Sequence, residues 1–389
     1  MTDVKRIQSA LRDRSIDAWL FCDHHHRDAA AYRILGLTES LMVSRRWFYL
    51  IPAQGDPIKL VHRIEPDSLD SLPGEKWMYA ARQELVDKLG EMLAGTSEVA
   101  MQFSPDNMLF TVSVVDAGTI DLIRGFGKKV VSAANLLAQF EATWSEEQIR
   151  SHFAAGASID AIMQAAFQEI GRRVRHGGTN EFEIQQWLLE AFGRENLISD
   201  GPPIVAMNAN SSHPHYVPTS ERSVQIREGD FILLDVWGKK RTPGAVYYDI
   251  SWSGFLGSPL PERIAEIFGI VRRSRDAGIH KVRASIEAGT KLCGWEVDKA
   301  SRDVLVTAGY SQFLNNRVGH AIGTEVHGNG ANIDNFESHD DREVIPNTCF
   351  SIEPGIYLPE FGLRSEVNML VRNGIAEVTG RIQNEVILV

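Results

Sequence analysis

The chain has 389 residues, 43% hydrophobic and 23% charged, with a formal net charge of −11. Its length holds two domains of ordinary size, and its composition is that of a globular protein. An acidic balance without a long basic run disfavours a phosphate-binding nucleic-acid face, and no apolar run reaches membrane-spanning length.

The opening residues, Met1-Thr-Asp-Val-Lys-Arg-Ile-Gln8, lack the apolar centre of a signal peptide. Cys22, Cys293 and Cys349 are isolated, so they form neither a disulfide framework nor a CxxC zinc pair. Scattered thiols fit a reducing compartment, and a cytoplasmic protein is expected.

Val4, Ile7, Ala10 and Leu11 predict a helix over 4–14, followed by a buried strand at 18–21. Trp47-Phe-Tyr-Leu-Ile51 and Ile58-Lys-Leu-Val61 flank Gln54-Gly-Asp-Pro57, which predicts a hairpin. Strands are expected at 99–101 and 130–131, with helices over 85–93 and 114–123. These elements describe a mixed α/β domain ending near 140–145. Beyond it, Ser145-Glu-Glu-Gln148 reads as a capping box opening a long helix through Ile149, Phe153, Ile159, Met163, Ala166 and Ile170. A second cap, Asn180-Glu-Phe-Glu183, opens another helix, and helices follow over 261–283 and 295–308. Two strand pairs lie among them, 231–237 with 247–254 and 349–358 with 363–371, which suggests a duplicated helix-plus-sheet layout.

Five metal-type ligands sit in or beside apolar runs of this second half. They are Asp235 in Phe231-Ile-Leu-Leu-Asp235, Asp249 in Tyr247-Tyr-Asp-Ile-Ser251, and His320 in Val318-Gly-His-Ala-Ile-Gly323. Glu353 in Phe350-Ser-Ile-Glu-Pro-Gly355 and Glu366 in Leu363-Arg-Ser-Glu-Val367 complete the set. Carboxylates are almost never buried unless paired or bound to a metal. One alone reads as a core ion pair. Four in two hairpin-like pairs, with a histidine beside glycines, point to a two-metal site, where bridging carboxylates offset the repulsion of ions about 3.5–4 Å apart. Oxygen-rich ligation with one imidazole suits manganese, iron(II), cobalt or zinc.

The order Asp, Asp, His, Glu, Glu, with Val318-Gly-His-Ala-Ile-Gly-Thr-Glu-Val-His327, Ser351-Ile-Glu-Pro-Gly-Ile-Tyr357 and Gly362-Leu-Arg-Ser-Glu366, resembles the pita-bread metallopeptidases. These are aminopeptidase P, prolidase, methionine aminopeptidase and the metal-free relative creatinase. The resemblance is strong over 145–389 and weak over the first 140 residues. It implies an α+β protein: a creatinase/prolidase-type α/β domain over 1–142, then a pita-bread catalytic domain with a curved antiparallel sheet over 143–389. The implied function is that of a dinuclear metal-dependent exopeptidase cleaving Xaa-Pro bonds, as aminopeptidase P or prolidase, by a metal-bridging hydroxide. Asp235 would chelate one ion, Asp249 and Glu366 would bridge both, and His320 and Glu353 would hold the other. Manganese is expected first, with cobalt, zinc or iron as alternatives. Glu353 is the expected general base and proton shuttle.

His215, in His213-Pro-His-Tyr-Val-Pro218, resembles the family histidine that bonds substrate near the metals, and His213 competes for that role. Taken alone, the segment reads as a polar Pro-rich loop. His327 follows His320 by seven residues, the family spacing of a substrate-contacting histidine that can donate to the scissile carbonyl or its oxyanion. Arg364 matches Gly-x-Arg-x-Glu and would orient the acidic ligands, although an ordinary salt bridge explains it equally well. His24-His25-His26 reads as a solvated loop, and Trp237 and Trp252 as packing residues.

Four positions depart from the family pattern. Asp249 lies 14 positions after Asp235, a long spacing whose extra residues fall in Gly238-Lys-Lys-Arg-Thr-Pro-Gly244. Ser251-Trp252 stand where Thr-Arg is common, Gly328 follows His327 in place of Glu, and Val367-Asn368 follows Glu366 where an acid is frequent. These bear on substrate choice. They keep open a metal-dependent hydrolase of a non-peptide amide or other small molecule, and a metal-free creatinase-like enzyme. The expected partners are a peptide or small-amide substrate and a second copy of the chain in a homodimer, with no nucleic acid and no membrane.

Overall fold

A computed structural model describes residues 3–38, 40 and 42–389. The chain forms two compact units, Met1–Glu141 and Ala142–Val389.

The first unit is built on a six-stranded sheet in the order Glu75–Tyr79, Ile58–His62, Trp47–Pro52, Ala18–Asp23, Glu98–Met101, Lys129–Ser132. The three central strands pair antiparallel, including the expected hairpin, and the outer strands join in parallel. Successive side chains alternate across the sheet. Trp19, Phe21, Tyr49 and Ile51 meet Ile7 and Leu11 of the helix Val4–Asp13 on one face. Leu20, Phe48 and Leu50 meet Leu85 and Leu89 of the helix Arg82–Met92 on the other. Burial on both faces is why Trp47–Ile51 reads as an unbroken apolar run. A short helix, Ala29–Leu35, had no periodic signal; Asp28 caps its start and Gly36, at φ 63°, ends it in the left-handed region.

In the second unit both expected caps form. Ser145 Oγ accepts the Gln148 N–H at 3.2 Å while Gln148 Oε1 accepts the Ser145 N–H at 2.9 Å, opening the helix Glu146–His176. Asn180 caps the helix Glu181–Arg194. These two helices bury Ile159, Met163, Ile184 and Leu188 against Leu234, Val236 and Ile250 of the first ligand hairpin. The helices Glu262–Glu287 and Gly294–Thr307 lie in the same way against the second hairpin, where Ile279, Val282 and Val297 pack on Phe350, Ile352, Val367 and Met369. This is the duplicated helix-plus-sheet layout.

The first hairpin pairs Phe231–Lys240 with Tyr248–Phe255, setting Asp235 opposite Ser251 and Trp237 opposite Asp249. The strand Ile204–Met207, which the sequence did not announce, pairs along its other edge. The second hairpin pairs Thr348–Ile352 with Val367–Arg372, then resumes with Gly355 opposite Arg364. The strands expected over 349–358 and 363–371 are therefore each interrupted, and the break falls at Glu353-Pro354 and Ser365-Glu366. Proline has no N–H to give the ladder. Continuing the register across the break sets Glu353 opposite Glu366.

Asn368 stitches the hairpins together: its Nδ2 donates to the Asp249 carbonyl at 2.8 Å, and its Oδ1 accepts the Asp249 N–H at 3.3 Å. His152, wholly buried on the long helix, ties the same two halves from behind. Its Nδ1 lies 2.7 Å from the Tyr247 carbonyl and its Nε2 2.7 Å from Thr379 Oγ1. No helix among the described residues is long and apolar enough to cross a membrane.

Candidate metal centre

Residues two apart on a strand share a face, so Asp235 and Trp237 point the same way, and Asp249 joins them from opposite Trp237. Both aspartates thus project from one face of the first hairpin. His320 enters just before the short strand Ala321–Ile322, which pairs with Cys349 and Phe350. Gly319 permits this approach, because a Cβ there would overlap the Ser351 carbonyl. Ser351 then serves both ligands, accepting the His320 N–H at 3.0 Å and donating to Glu353 Oε1 at 3.0 Å.

The five expected ligands converge, each no more than 9% exposed. His320 Nε2 lies 3.3 Å from Glu353 Oε1 and 3.5 Å from Asp249 Oδ2. One ligand atom each of Asp249, His320 and Glu366 fall within 4.8 Å of one another. The Ser251 hydroxyl lies 2.9 Å from Asp235 Oδ1 and 2.8 Å from Glu366 Oε2. Arg364 pairs with Asp235 through Nη2, donates from Nε to Ser251 at 2.9 Å, and stands 3.7 Å from Glu353 Oε2. It is both an ion-pair partner and the group that holds Asp235 in place, so the two readings of this arginine coincide.

Burial and mutual repulsion leave this cluster short of positive charge. Burial, followed by the charges of Asp235 and Glu353, pushes the Asp249 carboxyl well above its usual range. Glu366 is raised in the same way by burial and then by Asp249 and Glu353. Asp235 is raised by burial, with Arg364 as the largest opposing influence. Among the described residues, Asp249 Oδ1 and Glu366 Oε1 are buried with no hydrogen-bond partner. His320 Nδ1 lies 3.2 Å from the Ala321 carbonyl; donating there leaves the Nε2 lone pair facing two carboxylates. Orphaned acceptors of this kind are costly in a protein interior. A divalent cation fits them, and an O-rich set with one imidazole suits a first-row transition metal.

The cluster opens on a cavity of about 1080 Å³. His327 lines it, its ring centroid 4.4 Å from that of His320, and burial pushes its pKa down to about 4, leaving the imidazole neutral. His213 and His215 both reach the wall as exposed residues. Trp252 packs in the core as expected. Trp237 packs against the buried cluster that holds Trp144, Val246 and Ile322, as expected, and also lines the cavity, with its indole N–H donating to Asp200 Oδ1 at 2.7 Å. His24, His25 and His26 lie in the first unit, between the strand Ala18–Asp23 and the helix Ala29–Leu35, with His25 and His26 at φ 62° and 54°.

Sequence reasoning missed Glu181, which it read only as part of a helix start. Its carboxylate is fully buried and accepts from Met207 N at 2.7 Å, Asn210 Nδ2 at 2.9 Å, Tyr216 Oη at 2.7 Å and Val224 N at 2.9 Å. Those bonds span the loop that carries both histidines. No local pattern announces them, because every partner comes from beyond the helix it begins.

Comparison with known proteins agrees with this geometry. The chain belongs to Metallopeptidase family M24, whose sequence model matches residues 154–373. It is 26% identical over 343 residues to a probable dipeptidase PepE of Mycobacterium tuberculosis, covering 87% of this chain and 84% of the relative. An Xaa-Pro dipeptidase of Pyrococcus horikoshii is 28% identical over 244 residues, covering 60% and 62% of the two chains. The crystal structure of dipeptidase PepE from Mycobacterium ulcerans superposes with a TM-score of 0.70 at 21% identity, over 99% of this chain and 96% of that one. The fold is the pita-bread metallopeptidase fold, preceded in the chain by an α/β domain.

Proposed function

We propose that this protein is a dinuclear metal-dependent exopeptidase that cleaves Xaa-Pro bonds, of dipeptidase or aminopeptidase type. The observation that carries this reading is the pair of orphaned buried oxygens, Asp249 Oδ1 and Glu366 Oε1, inside a cluster of four carboxylates and one imidazole. Asp235, Asp249, His320, Glu353 and Glu366 would hold two divalent ions, manganese first among the candidates. When bound, such ions supply water activation and polarisation of the scissile carbonyl.

The remaining work falls to the chain itself. Glu353 Oε1 is held by Ser351, and its Oε2 takes up a proton and returns it to the leaving amine. Neutral His327 donates to the carbonyl oxygen as charge develops there. His215, or its neighbour His213, orients the substrate from the facing wall. Ile204, Val326 and Trp237 give the cavity apolar surface against which a prolyl ring excludes water. The names of the relatives, dipeptidase and Xaa-Pro dipeptidase, support the same substrate class.

The test combines metal analysis with a peptide screen. About two divalent ions per chain are expected, with hydrolysis of Xaa-Pro peptides abolished by chelation and restored by manganese or cobalt. Full activity in metal-free protein would transfer the site to creatinase-like chemistry, and activity confined to non-peptide amides would transfer it to the small-molecule reading. A homodimer is proposed alongside, and a dilution-resistant monomer in light scattering would remove it.

A further inference from the structure

A second buried guanidinium stands behind the metal centre. Arg275, on the helix Glu262–Glu287, is wholly buried, and its ionic partner Asp276 is the next residue along and partly exposed. Its Nε and Nη2 donate to that carboxylate at 3.0 and 2.8 Å. Its Nη1 serves other acceptors, donating to Ser365 Oγ at 2.7 Å and to the Gln383 carbonyl at 2.6 Å. A partly exposed carboxylate and two neutral oxygens offset the desolvation of a guanidinium poorly, so stability alone gives little reason for one here.

Ser365 lies in the break of the second hairpin, between Arg364 and Glu366. Side chains alternate along an extended chain, so Arg364 and Glu366 meet the cluster while Ser365 meets the helix. Backbone bonds in the break are long. The Ser365 N–H reaches the Pro354 carbonyl and the Glu366 N–H the Ser251 carbonyl, each at 3.4 Å, outside the usual range of about 2.7–3.2 Å. The short bonds come from side chains. Gln383 pairs its amide with the Ser253 backbone, Nε2 donating to the carbonyl at 2.6 Å and Oε1 accepting the N–H at 2.9 Å. Ser253 Oγ in turn donates to the Arg364 carbonyl at 3.1 Å. Arg275 thus closes a ring, holding Ser365 directly and Arg364 through Gln383 and Ser253. Ser253 belongs to the strand that carries Asp249, so the ring also ties one ligand hairpin to the other.

The residue that this ring fixes in place next to Ser365 is Glu366, one of the two carboxylates with an orphaned oxygen. A single ion can draw loosely held ligands to itself. Two ions about 3.5–4 Å apart need a bridging carboxylate already at that spacing. Resting on the dinuclear reading above, we propose that Arg275 is a positioning residue for Glu366: by fixing Ser365 in the hairpin break, it holds the Glu366 carboxylate in register with Asp249 and so governs uptake of the second ion, while touching neither ion nor substrate.

The test is calorimetric titration of the metal-free full chain with manganese, comparing wild type, Arg275→Met, Arg275→Lys, Ser365→Ala and Leu188→Ala. Leu188 packs in the core beneath the first hairpin, and its truncation supplies a destabilised control. Arg275→Met and Ser365→Ala each weaken the second ion about 10- to 100-fold, the cost of losing a group that orients a ligand, and leave the first ion near its wild-type affinity. Both remove the same contact, so the double variant loses no more than Arg275→Met alone. Lysine keeps the charge and one donor, and recovers part of the loss. The proposal is overturned if Arg275→Met binds both ions as wild type does, or loses them only as far as Leu188→Ala does. Should Arg275→Met fail to fold by circular dichroism, Ser365→Ala decides on the same two criteria. Wild-type protein that binds fewer than two ions overturns the dinuclear reading instead, and amide exchange over 363–367 in metal-free protein then decides the positioning role. Faster exchange in Arg275→Met and Ser365→Ala than in Leu188→Ala retains it, and equal exchange in all three removes it.

Discussion

In the first ligand hairpin the two aspartates are ordinary strand residues on one unbroken ladder, whereas in the second the ladder breaks at the two glutamates. Each hairpin nevertheless has one carboxylate that the protein compensates and one that it does not. Asp235 has Arg364 and Ser251, while Asp249 keeps an orphaned oxygen. Glu353 has Ser351, while Glu366 keeps an orphaned oxygen. The uncompensated pair lies along the seam between hairpins, where Asn368 holds the Asp249 backbone and the Glu366 N–H reaches the Ser251 carbonyl at 3.4 Å. The chain supplies a guanidinium to Asp235 and leaves one oxygen each of Asp249 and Glu366 without a partner, the two oxygens that a cation would satisfy.

That asymmetry can be tested, beginning with the compensated members. Glu353→Gln keeps shape but loses the proton acceptor, and turnover falls by about 10²–10⁴-fold in steady-state assays. An undiminished turnover would take Glu353 out of the mechanism. Arg364→Met removes the one guanidinium from the cluster, and the metal-free protein loses about 3–5 kcal/mol in urea denaturation, as for a buried pair broken on one side. A smaller loss once manganese is present would locate the deficit in the uncompensated charge.

His152 sharpens the comparison from behind, since it bonds one residue from each half. Burial pushes its pKa down to about 4, below the ordinary 6.5. Unfolded chains therefore take up a proton that the native state refuses, so this contribution is complete above about pH 6.5 and is lost as pH falls toward 4. The loss totals about 3 kcal/mol, and denaturation midpoints across that window should be flatter in His152→Gln. A parallel decline in both proteins would assign the acid sensitivity elsewhere.

The smallest effect has the most telling sign. In metal-free protein, Asp249→Asn or Glu366→Gln should raise stability or leave it unchanged, by up to about 1–3 kcal/mol, because each removes a carboxyl whose charge burial and the neighbouring carboxylates disfavour. Asp235→Asn should lower it by stranding Arg364. Added manganese should reverse the ranking, with fewer than two ions bound by the Asp249→Asn and Glu366→Gln proteins in metal analysis. Equal destabilisation by all three substitutions would erase the distinction between compensated and uncompensated ligands.

Much of this unit was legible because its signals are local. A capping box needs four consecutive residues, and Ser145-Glu-Glu-Gln148 formed the cap that its spacing called for. The helices that bury the hairpins carry their periodicity within one turn or two. The ligands stood out as acids inside apolar runs, and their flanking motifs carried the resemblance to the metallopeptidases. Which of the acids would be neutralised was not written locally: Arg364 meets Asp235 across 129 positions, and Asn368 meets Asp249 across 119. Glu181 looked like a helix start until strand and loop closed over its carboxylate. Sequence alone determined the long capped helices, the two ligand hairpins and the family resemblance, since propensity, capping and hydrophobic period act between near neighbours. Tertiary structure decided where charge is left unbalanced, because desolvation and Coulomb repulsion depend on what folding brings within a few ångströms, whatever its distance along the chain.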